Sequence, residues 1–232
     1  MQINGAVALV TGANRGLGRQ FTQQLLERGA AKVYATARRP ELIDIPGVET
    51  LRLDITDPSS IAAAAEIATD VTLLVNNAGV STYAKLVTGD LDKIRLELDT
   101  HFWGTLGMIR AFAPRLGGGA ILNVLSALSW FNADGAGAYG VAKAAEWNLT
   151  NGVRLELASQ KTLVTAVHLG AADTDMMAGF DVEKADPADV VRAALDGIEQ
   201  GSFEVVFDKW SAGVKASLAG DPADFYRAFL PA

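Results

Sequence analysis

Residues 6–18 read Ala6-Val7-Ala8-Leu9-Val10-Thr11-Gly12-Ala13-Asn14-Arg15-Gly16-Leu17-Gly18. An apolar run of strand length passes into three glycines spaced Gly-x-x-x-Gly-x-Gly. A helix-periodic segment follows, reaching to about residue 29, with Leu17, Phe21, Leu25 and Leu26 on one side. Glycines at a strand-to-helix turn let the backbone approach a pyrophosphate closely. The N–H groups and the dipole of the helix that follows favour its negative charge. This turn is expected to be a phosphate cradle; the alternative is a tight turn whose glycines serve packing alone.

Outward from the cradle, strand-length runs alternate with helical segments. Strands are expected at 32–36, 49–53, 71–75, 120–125, 162–169 and 202–207. Helices are expected at 59–69, 90–115, 138–159 and 187–200. The runs lack polar alternation, so both sheet faces are covered, as in a parallel sheet. The order predicts a single-domain α/β fold over residues 1–232, a Rossmann-type doubly wound parallel sheet of seven strands. Residues 132–137 read as a loop and 170–186 as a longer, mobile one.

Composition narrows the function. The chain has 232 residues, 50% of them hydrophobic and 20% charged, which excludes disorder as the main state. A net charge of -7 disfavours nucleic acid and anionic membrane surfaces as partners. The absence of cysteine excludes thiol catalysis and disulfides, and two histidines argue against a multi-histidine metal site, so no metal is expected. No apolar run reaches the length of a membrane span or of a signal-peptide core, and a cytoplasmic location is expected.

Further motifs follow in order. Asn76-Asn77-Ala78-Gly79 comes after the fourth strand, Ser126 after the fifth, and Tyr139-Gly140-Val141-Ala142-Lys143 opens the next helix thirteen residues beyond Ser126. Together with Thr11-Gly-x-x-x-Gly-x-Gly they resemble the short-chain dehydrogenase/reductases, over most of the chain. The resemblance implies nicotinamide binding by Gly12, Asn14, Arg15, Gly16, Leu17, Gly18, Asn77, Ala78 and Gly79. It adds Gly170 and Thr174 for the carboxamide, Asp54-Ile55 for the adenine, and Tyr139 and Lys143 for the ribose. An aspartate before a turn is the plainer reading of Asp54, since Thr56-Asp57-Pro58 follows.

The second strand ends Thr36-Ala37-Arg38-Arg39, where NAD enzymes carry an acid for the ribose hydroxyls. Arg38, with Arg15 expected nearby, suits a 2′-phosphate, so NADP(H) is the expected cofactor; the alternative is a solvated basic pair. Tyr139 and Lys143 are four apart and share a helix face. An ammonium there would lower the phenol's pKa and let Tyr139 serve as general acid/base. Ser126 would hydrogen-bond the substrate oxygen. The chemistry expected is NADPH-dependent interconversion of a ketone or aldehyde with an alcohol. A non-catalytic NADP-sensing regulator would ordinarily have lost the tyrosine or lysine. A sugar-nucleotide epimerase would use another glycine spacing and a larger C-terminal part.

Two positions leave the family pattern. His101 stands where the family has an asparagine that holds a relay water; it could relay protons as a fourth catalytic residue or be a packing histidine. Leu169 replaces the usual proline before Gly170, and His168 in the same apolar strand reads as a core residue. Candidate substrate residues are Ser81, Tyr83, Leu128, Trp130, Phe131, Met176 and Met177, whose apolar character favours a small hydrophobic carbonyl or alcohol. They could equally be ordinary packing. In the family the helices after the fourth and fifth strands pair subunits, so a homodimer or homotetramer is expected. Phe102, Trp103 and Trp147 on those helices could be interface or core.

Overall fold

The strands are Val7–Thr11 (β1), Lys32–Ala37 (β2), Glu49–Arg52 (β3), Leu73–Asn76 (β4), Ala120–Val124 (β5), Leu163–His168 (β6) and Glu204–Val206 (β7). They form one sheet in the order β3-β2-β1-β4-β5-β6-β7, every pair parallel. This is the doubly wound sheet expected. Strand order reverses between β1 and β4, so a crevice opens there at the strands' carboxyl ends. The computed structural model describes residues 1–230; Pro231 and Ala232, which the single-domain reading also took in, lie outside the described residues.

Helices Gly16–Glu27 (α1), Pro58–Ile67 (α2), Leu91–Leu98 (α3), Thr105–Phe112 (α4), Gly137–Glu156 (α5), Pro187–Gln200 (α6), Lys209–Ser217 (α7) and Pro222–Tyr226 (α8) complete the chain. Alternating strand residues feed two cores. Val10, Leu73 and Leu122 pack with Phe21 and Leu25 of α1 and Leu195 of α6 on one face. Leu9, Leu74 and Ile121 pack with Ile61 of α2 and Met108 and Phe112 of α4 on the other. Phe21 and Phe112 are fully buried. Truncating either to alanine would cost about 3–5 kcal/mol.

One expectation needs correction, and two segments gain detail. The helix expected over 90–115 is not continuous: a π-helical segment, Asp99–Gly104, separates α3 from α4, and a 3-10 turn, Ala113–Arg115, follows. Pro114 cannot donate to the ladder, which stops α4. The wider π turn carries the buried His101 and the closely packed Gly104, where a Cβ would lie 2.9 Å from the Ile55 carbonyl oxygen. Residues 170–186, read as a mobile loop, carry a short backbone pairing across their ends: Asp173 N donates to the Ala185 carbonyl and Ala185 N to that of Ala171, both at 2.9 Å. The chain beyond β7, for which the sequence offered no element, forms α7 and α8. Phe131 packs there against Trp210, Phe225 and Phe229.

Candidate active site

The glycine turn lies at the carboxyl end of β1 and is stapled from β4. Thr11 Oγ1 accepts from the Asn77 and Ala78 amides, both at 2.9 Å, and Asn77 Nδ2 donates to the Thr11 carbonyl at 2.9 Å. Gly12 and Gly16 have φ of +69° and +53°, a region costly for residues with a Cβ. A Cβ on Gly18 would lie 2.0 Å from the Gly12 carbonyl oxygen. On Gly16 it would meet Thr174 Cγ2 at 3.3 Å, so the segment after β6 closes onto the turn. Leu17, half-buried, packs against the core beneath, and Asn14 is half-buried in the turn itself.

The donors of this turn suit a bound anion. Asp side chains cap α2, α3, α6, α7 and α8; α4 and α5 have no side-chain cap, and neither has α1, which follows Arg15. Its first N–H groups are thus left for a ligand. Arg38 is exposed just past the buried Ala37, with no carboxylate paired to it among the described residues. Arg15 pairs with Asp175 at 2.9 Å, with side chains 69% and 72% exposed. Such a pair is worth about 0–1 kcal/mol, less than a phosphate contact of about 1.5–3, so it can open for a ligand. Asp54 Oδ1 accepts from Thr56 N and Oγ1 at 3.0 and 2.7 Å, as an aspartate opening a turn does, and Ile55 is buried beside it.

Ser126 follows β5; its Oγ accepts from Leu128 N at 3.1 Å, and its hydroxyl is near enough to Tyr139 to pull the phenol's pKa down against burial. Tyr139 lies in the first turn of α5, with Lys143 Nζ 5.8 Å from its ring centre. Lys143 is buried and donates to the Val124 carbonyl at 2.8 Å and to Glu146 Oε2 at 2.7 Å. Gly170 N donates to Asp208 Oδ2 at 2.7 Å, which fixes the start of the segment leading to Thr174.

Residues 6–185 match the family model described as short chain dehydrogenase. The chain belongs to the short-chain dehydrogenase family. A crystal structure of a short chain dehydrogenase from Burkholderia cenocepacia J2315 in complex with NADP is similar over 100% of both chains, at 38% identity and a TM-score of 0.95. An uncharacterized oxidoreductase of Staphylococcus saprophyticus is 27% identical over 221 residues, 87% of this chain and 94% of that protein. The NADPH-dependent 1-acyldihydroxyacetone phosphate reductase of Schizosaccharomyces pombe is 33% identical over 181 residues, 72% of this chain and 60% of that one. As a member of this family the chain is an oxidoreductase.

In this short-chain dehydrogenase the expected effect of Lys143 on Tyr139 does not prevail. Burial pushes the Tyr139 phenol above its ordinary value; Lys143 pulls it back, and the carboxylates of Glu146 and Glu97 push it further up. Sequence reasoning missed both carboxylates. Each is fully or almost fully buried, and each lies one helical turn from a residue that it did single out: Glu146 after Lys143, Glu97 before His101. An acid on a core-facing helix stripe was the signal available.

His101 lies edge-on to Tyr139, ring centres 5.2 Å apart, beneath Gly79, where a Cβ would touch its Cε1 at 2.7 Å. Its Nε2 is 2.8 Å from the Val80 carbonyl oxygen, so Nε2 carries the donated proton. Glu146 stands between His101 and Lys143: its Oε2 is 3.7 Å from His101 Nδ1. His101 and Lys143 are therefore both neighbours of one carboxylate.

The candidate substrate residues divide. Tyr83 and Met176 meet at the surface, the Tyr83 hydroxyl donating to the Met176 carbonyl at 2.7 Å. Leu128 is half-buried beside Ser126, and Ser81, Phe131 and Met177 are also at least partly exposed. Trp130 is buried and stacked on His168 at 4.0 Å, a packing position. Trp103 is exposed and Trp147 half-buried. No helix among the described residues is long and apolar enough to cross a membrane.

Proposed function

We propose that the protein is an NADPH-dependent reductase of small hydrophobic ketones or aldehydes, able to run in reverse on the alcohol, with Tyr139 as general acid/base. The observation that carries the reading is the convergence at one end of the sheet of an uncapped α1 behind Gly12, Gly16 and Gly18 with Ser126, Tyr139 and Lys143. The structural relative in complex with NADP supports the cofactor, as does an exposed Arg38 where an acid would select NAD.

The cofactor, when bound, supplies the hydride. Its pyrophosphate would rest on the N–H groups of α1, its 2′-phosphate on Arg38 and Arg15, and its nicotinamide end against Gly79, Gly170 and Thr174. Ser126 would orient the substrate oxygen through its hydroxyl. Tyr139 would give its phenolic proton to the oxygen as charge develops there, and a phenol held above its ordinary value keeps that proton at neutral pH. Lys143 would stabilise the phenolate left behind. The substrate would enter past Tyr83, Met176 and Leu128. A second copy of the chain, as homodimer or homotetramer, is the expected assembly, and the cytoplasm the expected location.

The test is a panel of ketones and aldehydes with NADPH and with NADH, followed at the nicotinamide absorbance. NADPH-linked reduction of apolar carbonyls is the expected result. Tight NADPH binding without turnover of any carbonyl would favour a cofactor-sensing role instead.

A further inference from the structure

Behind Tyr139 lies a line of buried ionisable side chains that the Tyr-x-x-x-Lys motif does not contain. Lys143 Nζ is 2.7 Å from Glu146 Oε2, Glu146 Oε2 is 3.7 Å from His101 Nδ1, and His101 Nε2 is 3.4 Å from Glu97 Oε2. Glu97, His101 and Glu146 are at most 2% exposed, and Lys143 is 5% exposed. We propose that Glu146 is a positioning residue of this site: it fixes the Lys143 ammonium in its charged form. The proposal takes the reaction assigned above as its setting.

A buried ammonium held by one neutral carbonyl would lose its proton readily, because burial disfavours the charged form. Burial does press the Lys143 pKa downward, but Glu146 first, then Tyr139 and Glu97, more than offset it and leave it raised. Burial likewise opposes the Glu146 carboxylate, yet the Lys143 ammonium holds it below the usual carboxylate range. Two of the three N–H donors of Lys143 are committed, to Val124 and Glu146, so the third has a fixed direction.

Fold stability is a poor explanation for the pair. Lys143 and Glu146 are three residues apart on one helix, so their contact joins no distant elements. A buried ion pair is often no better for stability than apolar residues of the same volume. Each carboxylate has a donor on its Oε1, while Glu97 Oε2 is buried without one. Thr105 Oγ1 donates to Glu146 Oε1 at 3.3 Å, and Thr82 N donates to Glu97 Oε1 at 2.5 Å. The titratable groups around Glu146 are Lys143 and Tyr139 on α5, His101 on the π segment and Glu97 on α3, with His168 on β6 sensing the pair from the sheet side. Two carboxylates and one ammonium are thus buried together, with the His101 ring lying between the carboxylates.

The test is an NMR titration of the cofactor-free protein labelled at lysine Cε, with the Lys143 signal assigned by its loss in Lys143→Met. In the wild type Lys143 should titrate above free lysine. In Glu146→Gln it should titrate about one pH unit or more lower, and in Glu146→Asp it should stay near the wild type. The alkaline limb of kcat should follow the same order, with KM for NADPH little moved. A wild-type Lys143 that titrates at or below free lysine would overturn the proposal without need of any variant. So would a folded Glu146→Gln protein whose Lys143 titrates as in the wild type. The titration needs no turnover, so failure of the carbonyl panel would refute the assigned reaction and leave this result standing.

Discussion

The His168 ring clamps the backbone of Ser126: its Nδ1 donates to the Ser126 carbonyl oxygen at 3.1 Å, from a ring stacked on Trp130. A residue that reads in sequence as apolar-strand packing thus sits directly beneath the serine of the reaction site. Because the carbonyl can only accept, Nδ1 carries the proton. Nε2 has no hydrogen-bond partner among the described residues and lies 3.5 Å from Glu204 Oε1.

Burial pushes the His168 pKa down from 6.5 to about 4. The unfolded chain therefore binds this proton more tightly than the folded one. Its contribution to stability is complete above about pH 6.5 and is lost as pH falls toward 4, by up to about 3 kcal/mol. Denaturant unfolding of wild type and His168→Asn across that window checks this. The variant should lose less stability on acidification, whereas parallel curves would mean that the imidazole takes up its proton without cost in the folded state.

Tyr139→Phe should lower kcat by about 10²–10⁴-fold or more while NADPH affinity stays near the wild type, since only the proton donor is removed. Single-turnover reduction together with NADPH fluorescence titration separates the two. Turnover near wild type would take Tyr139 out of the mechanism.

Arg38→Ala should weaken NADPH by about 1.5–3 kcal/mol and leave NADH little changed, because the lost contact is to the 2′-phosphate alone. KM for both cofactors is the measurement. An equal loss for both would give Arg38 a structural role.

Gly18→Ala should abolish the cradle. The added methyl would meet the Gly12 carbonyl oxygen at 2.0 Å and Asn77 Nδ2 at 2.6 Å, and one of those contacts is backbone. The cost to stability should be about 1–3 kcal/mol, with loss of cofactor binding. Calorimetry with NADPH and a thermal melt test it; unchanged binding would show that the turn has room that the geometry denies.

His101→Leu should depress kcat and alter its pH profile, since it leaves Glu97 and Glu146 without the polar group between them. His101→Asn, which keeps a hydrogen-bonding side chain, should retain more activity. Profiles of kcat against pH for the three proteins decide. A leucine variant with an unchanged profile would make His101 a packing residue.

The sheet was legible because its information is local. Seven apolar runs separated by helical segments, and a glycine turn that tolerates no Cβ, specify a parallel α/β fold wherever they occur. The Ser126, Tyr139 and Lys143 positions were legible for the same reason, since helical spacing alone puts Tyr139 and Lys143 on one face. The break in the helix at Asp99–Gly104 was not, because a π turn is selected by what packs against it, here Ile55 against Gly104. Nor was the charge balance behind the tyrosine. Lys143 alone would lower the phenol, but Glu97 and His101 come from α3 and the π segment to join Glu146 on α5. Electrostatic sums depend on distance and burial, which the order of residues along the chain does not contain. Sequence determined which groups are present and on which elements; the tertiary structure decided which charges meet, and therefore what each one does.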